Sequence, residues 1–388
     1  MKKNTKLVTA GRRPDANHGI PNPPVYHAST VAFPTVAALE AARDDRLNAV
    51  YYGRYGTPTS FAFEEAVAAL EGGHRTVTTP SGLAAITCAL LSFLKAGDHL
   101  LMVDSAYFPT RHLCGSVLAG LGVETTYYDP MIGAAVADLM RPETKVVYTE
   151  SPCSLTFEVQ DIPAIASAAH AAGAKVLMDN TWSGGLYFQP FEHGIDVSIQ
   201  SATKYIGGHS DVMLGAITTT EETYETVKWT AVALGTCAAS DDCYLGLRGL
   251  RSLSARLSRH QENGLALAGW LVDRREVRRV LHPALPGAAG HDTWKRDFSG
   301  ASGLFGVVLG DYPKQAVATM LDGLEHYAMG FSWGGVESLI LPTDPSSARS
   351  AVAWTESGVC LRIHAGIEDI EDLIADLEKG FARLTAAA

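Results

Sequence analysis

One lysine stands out in this 388-residue chain because of what surrounds it: residues Ser198–Ser210 read SIQSATKYIGGHS. The apolar stretch before Lys204 draws its amine toward the interior, where desolvation penalises the charged form. Burial and nearby positive charge lower an amine's pKa and turn it into a nucleophile. A solvated surface lysine is the plain alternative, and the flanking strand pattern weighs against it. Ser201 and Thr203 place hydroxyls beside the amine, where they suit a phosphate. Asp179 closes another apolar run, KVLMD. An acid there commonly caps the following helix, but it also suits a protonated ring nitrogen whose charge it would hold.

Three further segments offer binding groups. Thr79–Ala84 (TPSGLA) opens an apolar stretch, and its free backbone N–H groups would form an anion site at a helix N-terminus. Any helix start shares that property, so the segment gains weight only in company. Tyr51–Thr57 (YYGRYGT) supplies the guanidinium of Arg54 and several phenols in a glycine-punctuated segment. Arg54 can grip a phosphate as a fork, or lie on a surface loop. Tyr107 follows the run HLLMVD and can stack on a planar ring or fill a core. The 13 histidines include no H-E-x-x-H and no close His/Cys cluster, so no metal site is predicted.

These residues need elements to position them. FAFEEAVAALE (61–71) places apolar residues at helical spacing and stops at Gly72-Gly73. The runs HLLMV (99–103), KVVYT (145–149) and KVLM (175–178) are short and apolar, and IPAIASAAHAA (162–172) between the last two is a small-residue helix. Such alternation predicts an α/β fold with a mostly parallel central sheet covered by helices. Ligands of open α/β sheets sit outside the carboxyl ends of the strands, and the polar residues named above follow those ends. Leu245–Leu265 reads as a long helix leading to a smaller C-terminal α/β domain, in which GLFGVVL (303–309) is strand-like and Ile367–Leu384 is an amphipathic helix. The boundaries expected are an extended, proline-rich N-terminal arm over 1–55, a large domain over 56–245 and the small domain over 246–388.

Composition limits the partners. With 31 Lys+Arg against 42 Asp+Glu, 31 − 42 gives −11, a balance that disfavours nucleic acid and anionic membrane. The longest apolar stretch, Gly82–Leu94, is shorter than the ~20 residues that span a bilayer. Met1–Arg13 carries charges without an apolar core, so no secretory signal is expected. Six cysteines without a C-x-x-C pair fit free thiols in a cytoplasmic protein.

Taken together, these segments resemble the Cys/Met metabolism family of pyridoxal-phosphate enzymes, fold type I. The resemblance is carried by YGRYGTPT (52–59), ESPCSLTFEVQDIPAI (150–165), MDNTWSGGLYFQP (178–190), DVSIQSATKYIGGHSDVMLG (196–215), HPALPGAAGHDTWKRDFSGASGLF (282–305), SWGGVESLILP (332–342) and LRIHAGIEDIEDLIADLEKGFARL (361–384). It implies that Lys204 is the Schiff-base lysine and catalytic base, that Asp179 faces the pyridine nitrogen, and that Tyr107 stacks on the cofactor ring. Gly82, Leu83, Ser201 and Thr203 correspond to the phosphate cup. Tyr52 and Arg54 correspond to residues reaching the phosphate from a neighbouring subunit, which implies a homotetramer built as a dimer of dimers. Arg362 matches the clamp on the substrate carboxylate, with Ser332 and Trp333 beside it.

The reaction so implied is α,β-elimination on a small sulfur amino acid, L-cystathionine. γ-Elimination, γ-replacement and cysteine desulfhydration are the alternatives within the same chemistry. Two departures bear on specificity. Cys153-Ser154-Leu155 stands where many γ-acting relatives have an asparagine, and Phe108–Arg111 brings no acid next to Tyr107. A cofactor-holding regulatory protein without turnover is the rival from another class, and the intact set of Lys204, Tyr107 and Arg362 argues against it.

Overall fold

The apolar runs between residues 75 and 219 form seven strands: β1 (Arg75–Thr79), β2 (His99–Val103), β3 (Glu124–Tyr128), β4 (Thr144–Glu150), β5 (Lys175–Asp179), β6 (Val197–Ser201) and β7 (Gly215–Thr219). All 388 residues are described in this computed structural model. The sheet order is β1-β7-β6-β5-β4-β2-β3. Pairings among β2 to β6 are parallel, while β7 runs antiparallel to both β1 and β6. The mostly parallel sheet expected from the fully apolar runs is therefore present, and β2 and β7 are buried along their whole length. Strands buried on both faces need helices above and below, here including Pro58–Glu71, Gly82–Phe93, Ile162–Ala171 and Glu221–Leu234.

Local chemistry sets the helix ends. Thr57 and Ser60 form a capping box at the start of Pro58–Glu71, with Pro58 in the first turn, and Gly72 ends the helix at φ +78°. Glycine bears that left-handed conformation without the Cβ clash of other residues. The long helix spans Ser240–Val272, several residues beyond the periodic stretch visible in the sequence at either end. It leads to a second sheet of β8 (Val277–Leu281), β9 (Leu304–Leu309), β10 (Leu339–Thr343) and β11 (Cys360–His364), ordered β10-β11-β9-β8 and antiparallel throughout.

The first 55 residues are largely irregular, with two single 3-10 turns and two short α-helices, Lys3–Thr9 and Val36–Asp44. The second is nucleated by Thr35, whose hydroxyl accepts from the Ala38 amide. Lys3 ties the chain start down by donating to the carbonyls of Gly185 and Leu186. No helix is long and apolar enough to cross a membrane, and all six cysteines are unpaired.

Strand direction decides what meets at one edge. Parallel β4 and β5 end in register at Glu150 and Asp179. Because β7 runs the other way, its first residue, Gly215, pairs with the last residues of both β6 (Ser201) and β1 (Thr79). A Cβ at Gly215 would lie 2.2 Å from the Ser81 carbonyl oxygen, so glycine lets the strand ends close up there.

Candidate active site

The carboxyl ends of the parallel strands open into a cleft of about 540 Å³, shared between residues of the large sheet and residues beside β11. Lys204 sits in the turn after β6. Its Nζ donates to Ser332 Oγ at 2.6 Å and lies 5.4 Å from the centre of the Trp333 ring. Burial lowers the Lys204 pKa to about 8; the positive charge of Arg362 acts in the same direction and Asp179 opposes it. At pH 7 about a tenth of this amine is therefore in its proton-accepting form, rising to about half at pH 8.

Ser332 is held in an unusual conformation, with φ +86°. Non-glycine residues reach that region only when their surroundings impose it. The surroundings are visible. Arg362 Nη2 donates to the Ser332 carbonyl at 3.0 Å. Gly334, at φ +87°, packs so closely on the lysine turn that a Cβ would lie 2.9 Å from the Lys204 carbonyl carbon. His364 Nε2 lies 3.1 Å from both the Gly334 amide and the Gly335 carbonyl oxygen, which ties the ring to the turn after Trp333. The buried His364 is accordingly held well below the usual histidine range, chiefly by desolvation.

Asp179 Oδ1 accepts from the Thr181 amide at 2.9 Å, but the cap position of the short turn Thr181–Ser183 is Asn180, so Asp179 is not the helix cap that an acid at a strand end commonly becomes. Desolvation raises the Asp179 pKa, the bonds from Thr181 lower it, and Lys204 lowers it further. Glu150, its register partner, is raised well above the usual carboxylate range by desolvation and by Asp179. Glu150 Oε2 accepts from the Tyr107 amide at 2.8 Å and so fixes the backbone that carries the half-exposed tyrosine ring. The Tyr107 phenol is itself raised, first by burial.

At the start of helix Gly82–Phe93, the Ser81 hydroxyl accepts from Ala84. The Gly82 and Leu83 amides are left without an intrahelical acceptor. A Cβ at Gly82 would lie 2.6 Å from Ser201 Cβ and Oγ, so only glycine lets this helix end rest on the serine. Thr203 Oγ1 accepts from the Leu214 amide, pinning the far side of the lysine turn to β7. Free amides, a hydroxyl and the helix dipole make an anion cradle.

Ten of the twelve residues singled out in the sequence line this one cleft. The other two, Tyr52 and Arg54, line a separate cavity of about 410 Å³, where Arg54 donates to the Val232 carbonyl at 2.8 Å. The cleft also contains Glu150, one of the polar residues that follow the apolar runs, and Thr181, Met213 and Phe331, which reasoning on the sequence did not select. Glu150 had a legible signal, since it ends an apolar strand as Asp179 does. Phe331, 90% exposed, had none.

A desolvated amine, a carboxyl group at a strand end and an anion cradle within one cleft suit a phosphorylated pyridine bearing an aldehyde, which is pyridoxal 5′-phosphate. Comparison with known proteins agrees. A protein of Rhizobium johnstonii is 50% identical over 387 residues, 99% of this chain and 96% of its own. Cystathionine beta-lyase MetC of Escherichia coli is 43% identical over 390 residues, 99% of each chain. A crystal structure of cystathionine gamma synthase from Xanthomonas oryzae pv. oryzae superposes with a TM-score of 0.92 at 33% identity, over 100% of both chains. The sequence profile of the Cys/Met metabolism PLP-dependent enzymes matches residues 4–382. The chain belongs to that family, and pyridoxal 5′-phosphate is its cofactor.

Proposed function

We propose that this enzyme is a carbon–sulfur lyase that breaks the β C–S bond of L-cystathionine, yielding L-homocysteine, pyruvate and ammonia. One observation carries the reading. Lys204 and Arg362 grip the same residue, Ser332, through its hydroxyl and its carbonyl. That places a proton-accepting amine beside a guanidinium suited to an α-carboxylate. The β-lyase from E. coli at 43% identity supports the same reaction.

In this reading Lys204, Asp179, Tyr107, Ser201, Thr203, Gly82 and Leu83 hold the cofactor. Pyridoxal phosphate, when bound, supplies the electron sink that stabilises negative charge at the substrate Cα. Arg362 binds the α-carboxylate as a fork and fixes the orientation of the Cα–H bond. Lys204, neutral and held by Ser332, takes the Cα proton. The electron pair released at Cα becomes the Cα–Cβ double bond as the C–S bond breaks, and the sulfur departs as a thiolate. Lys204 returns its proton to that sulfur. The enamine product takes up water and leaves as pyruvate and ammonia. Asp179 would hold the protonated ring nitrogen of the bound cofactor by its charge, and Glu150 keeps the Tyr107 backbone in place. Trp333 closes the cleft beside the lysine.

Tyr52 and Arg54 act across a subunit boundary in a homotetramer, since in the single chain they lie in a different cavity from Lys204. Unpaired cysteines fit a reducing, cytoplasmic setting.

Incubating the purified holoenzyme with L-cystathionine tests the reading. Homocysteine and pyruvate are expected in equal amounts. Cysteine with 2-oxobutyrate would assign γ-elimination instead, and no thiol release would overturn lyase activity altogether.

A further inference from the structure

Asp104 directly follows β2, three residues before Tyr107, and its side chain is completely buried. It is not alone. Its carboxylate accepts from three successive backbone amides, Ser350 at 2.8 Å, Ala351 at 2.9 Å and Val352 at 3.0 Å, and from the Ser350 hydroxyl at 2.8 Å. Arg111 Nη1 donates to it at 3.0 Å and Arg349 Nε lies 3.5 Å away. Successive amides converging on one carboxylate form an anion nest, and here the nest belongs to the connection between β10 and β11. A strap from the small sheet is thus clasped to the end of a large-sheet strand.

The strap continues to the cleft wall. Arg349 Nη1 donates to Thr156 Oγ1 at 3.2 Å and to Glu158 Oε1 at 3.0 Å. On either side of Thr156, Leu155 and Phe157 face the cleft with φ of +63° and +58°. Two such residues in close sequence persist only where several contacts over-determine them. Arg349 supplies those on one side, and the bond from the Ser154 amide to the Ser105 carbonyl, 3.1 Å, returns the wall to the turn that carries Tyr107.

We propose that Asp104 is a positioning residue of this enzyme. By clasping residues 350–352 it seats Arg349, and Arg349 holds the Leu155–Phe157 wall in the form that receives the part of the substrate beyond sulfur. The proposal rests on the lyase reading for its kinetic arm and is independent of it for its structural arm. Arg111 and Arg349 are each satisfied by Asp104 or by the wall, and neither lines the cleft. The strap acts on binding rather than on proton transfer, because Lys204, Ser332 and Arg362 are held by separate contacts.

The test uses holoenzyme and two substitutions. Asp104→Asn removes the charge and turns an amide toward the nest; Arg349→Lys keeps a charge but cannot serve at once the Val352 carbonyl, reached by Nε, and Thr156 and Glu158, both reached by Nη1. Trypsin should leave the wild-type chain uncut after position 349, whose side chain is only 5% exposed, and should cut both variants there. With L-cystathionine, KM should rise about 10-fold in both, with kcat within roughly 3-fold. The absorbance of the bound cofactor should be unchanged. Folded variants that resist trypsin after 349 and keep the wild-type KM would overturn the proposal, as would a loss confined to kcat. If Asp104→Asn does not fold, Arg349→Lys alone decides on the same two readouts. If wild-type enzyme releases no thiol, the lyase reading fails while the trypsin arm still judges the clasp.

Discussion

Lys204 and Ser332 meet at 2.6 Å although 128 residues of chain separate them. The serine is held at φ +86° so that its hydroxyl faces the amine while its carbonyl accepts from Arg362. A short polar contact between the two halves of the molecule thereby sets the distance between the Lys204 amine and the Arg362 guanidinium.

Replacing Lys204 with alanine should reduce pyruvate release from L-cystathionine by at least about 10³-fold, the scale of losing a positioned general base that also holds the cofactor. Keto-acid assay against wild type checks it. In wild type, kcat should rise with pH through about 8, because the amine lowered to about 8 is active when neutral.

Arg362→Gln tests the clamp and the electrostatics together. Loss of a paired, desolvated guanidinium is worth roughly 100-fold in KM for a carboxylate substrate. Arg362 is also one of the charges that lower the Lys204 pKa. Its removal raises that pKa, so the rising limb of the kcat profile should move to higher pH. A profile that stayed in place would show that the two groups are not coupled.

Gly82→Ala should weaken cofactor retention by about 10-fold or more. The new methyl group would meet Ser201 at 2.6 Å, and overpacking of that kind costs about 1–3 kcal/mol. Absorbance of the bound cofactor after dialysis gives the readout. Gly97→Ala tests backbone strain alone, because its φ is +88° with nothing within 4 Å of the added carbon; it should destabilise slightly and retain cofactor.

Stability should fall in acid partly through Asp104. Its bonds to the strap hold the folded pKa below the ordinary value, against the opposing effect of desolvation. A depressed carboxylate stabilises the fold above its unfolded pKa of about 3.9, and that contribution is lost as pH falls through the folded value. Asp104→Asn should therefore be less stable than wild type at neutral pH, with the difference shrinking below about pH 4, as read by thermal unfolding across pH.

Several parts of this molecule are legible one segment at a time. The apolar runs that became β2, β4 and β5 are continuous because those strands are buried on both faces, and the chemistry follows their ends at Tyr107, Glu150 and Asp179. Lys204 declares itself through the strand before it and the glycines after it, and Gly82 through the helix it opens. In each case the sequence holds, within a dozen residues, both the functional group and the element that carries it.

Other features exist only once distant segments are superposed. Nothing near residue 104 announces that its partners lie 246 residues further on, and nothing near Ser332 fixes its left-handed backbone except contacts from Arg362 and the lysine turn. The antiparallel course of β7 likewise depends on pairing with β1, whose register partners are more than a hundred residues away. Periodicity and spacing report local burial and local chemistry. The sequence by itself determined the fold class, the amine, the acid and the anion cradle; only the tertiary structure decided the grip on Ser332 and the clasp of Asp104, because hydrogen bonds and charges couple groups by distance in space, which the order of residues along a chain does not record.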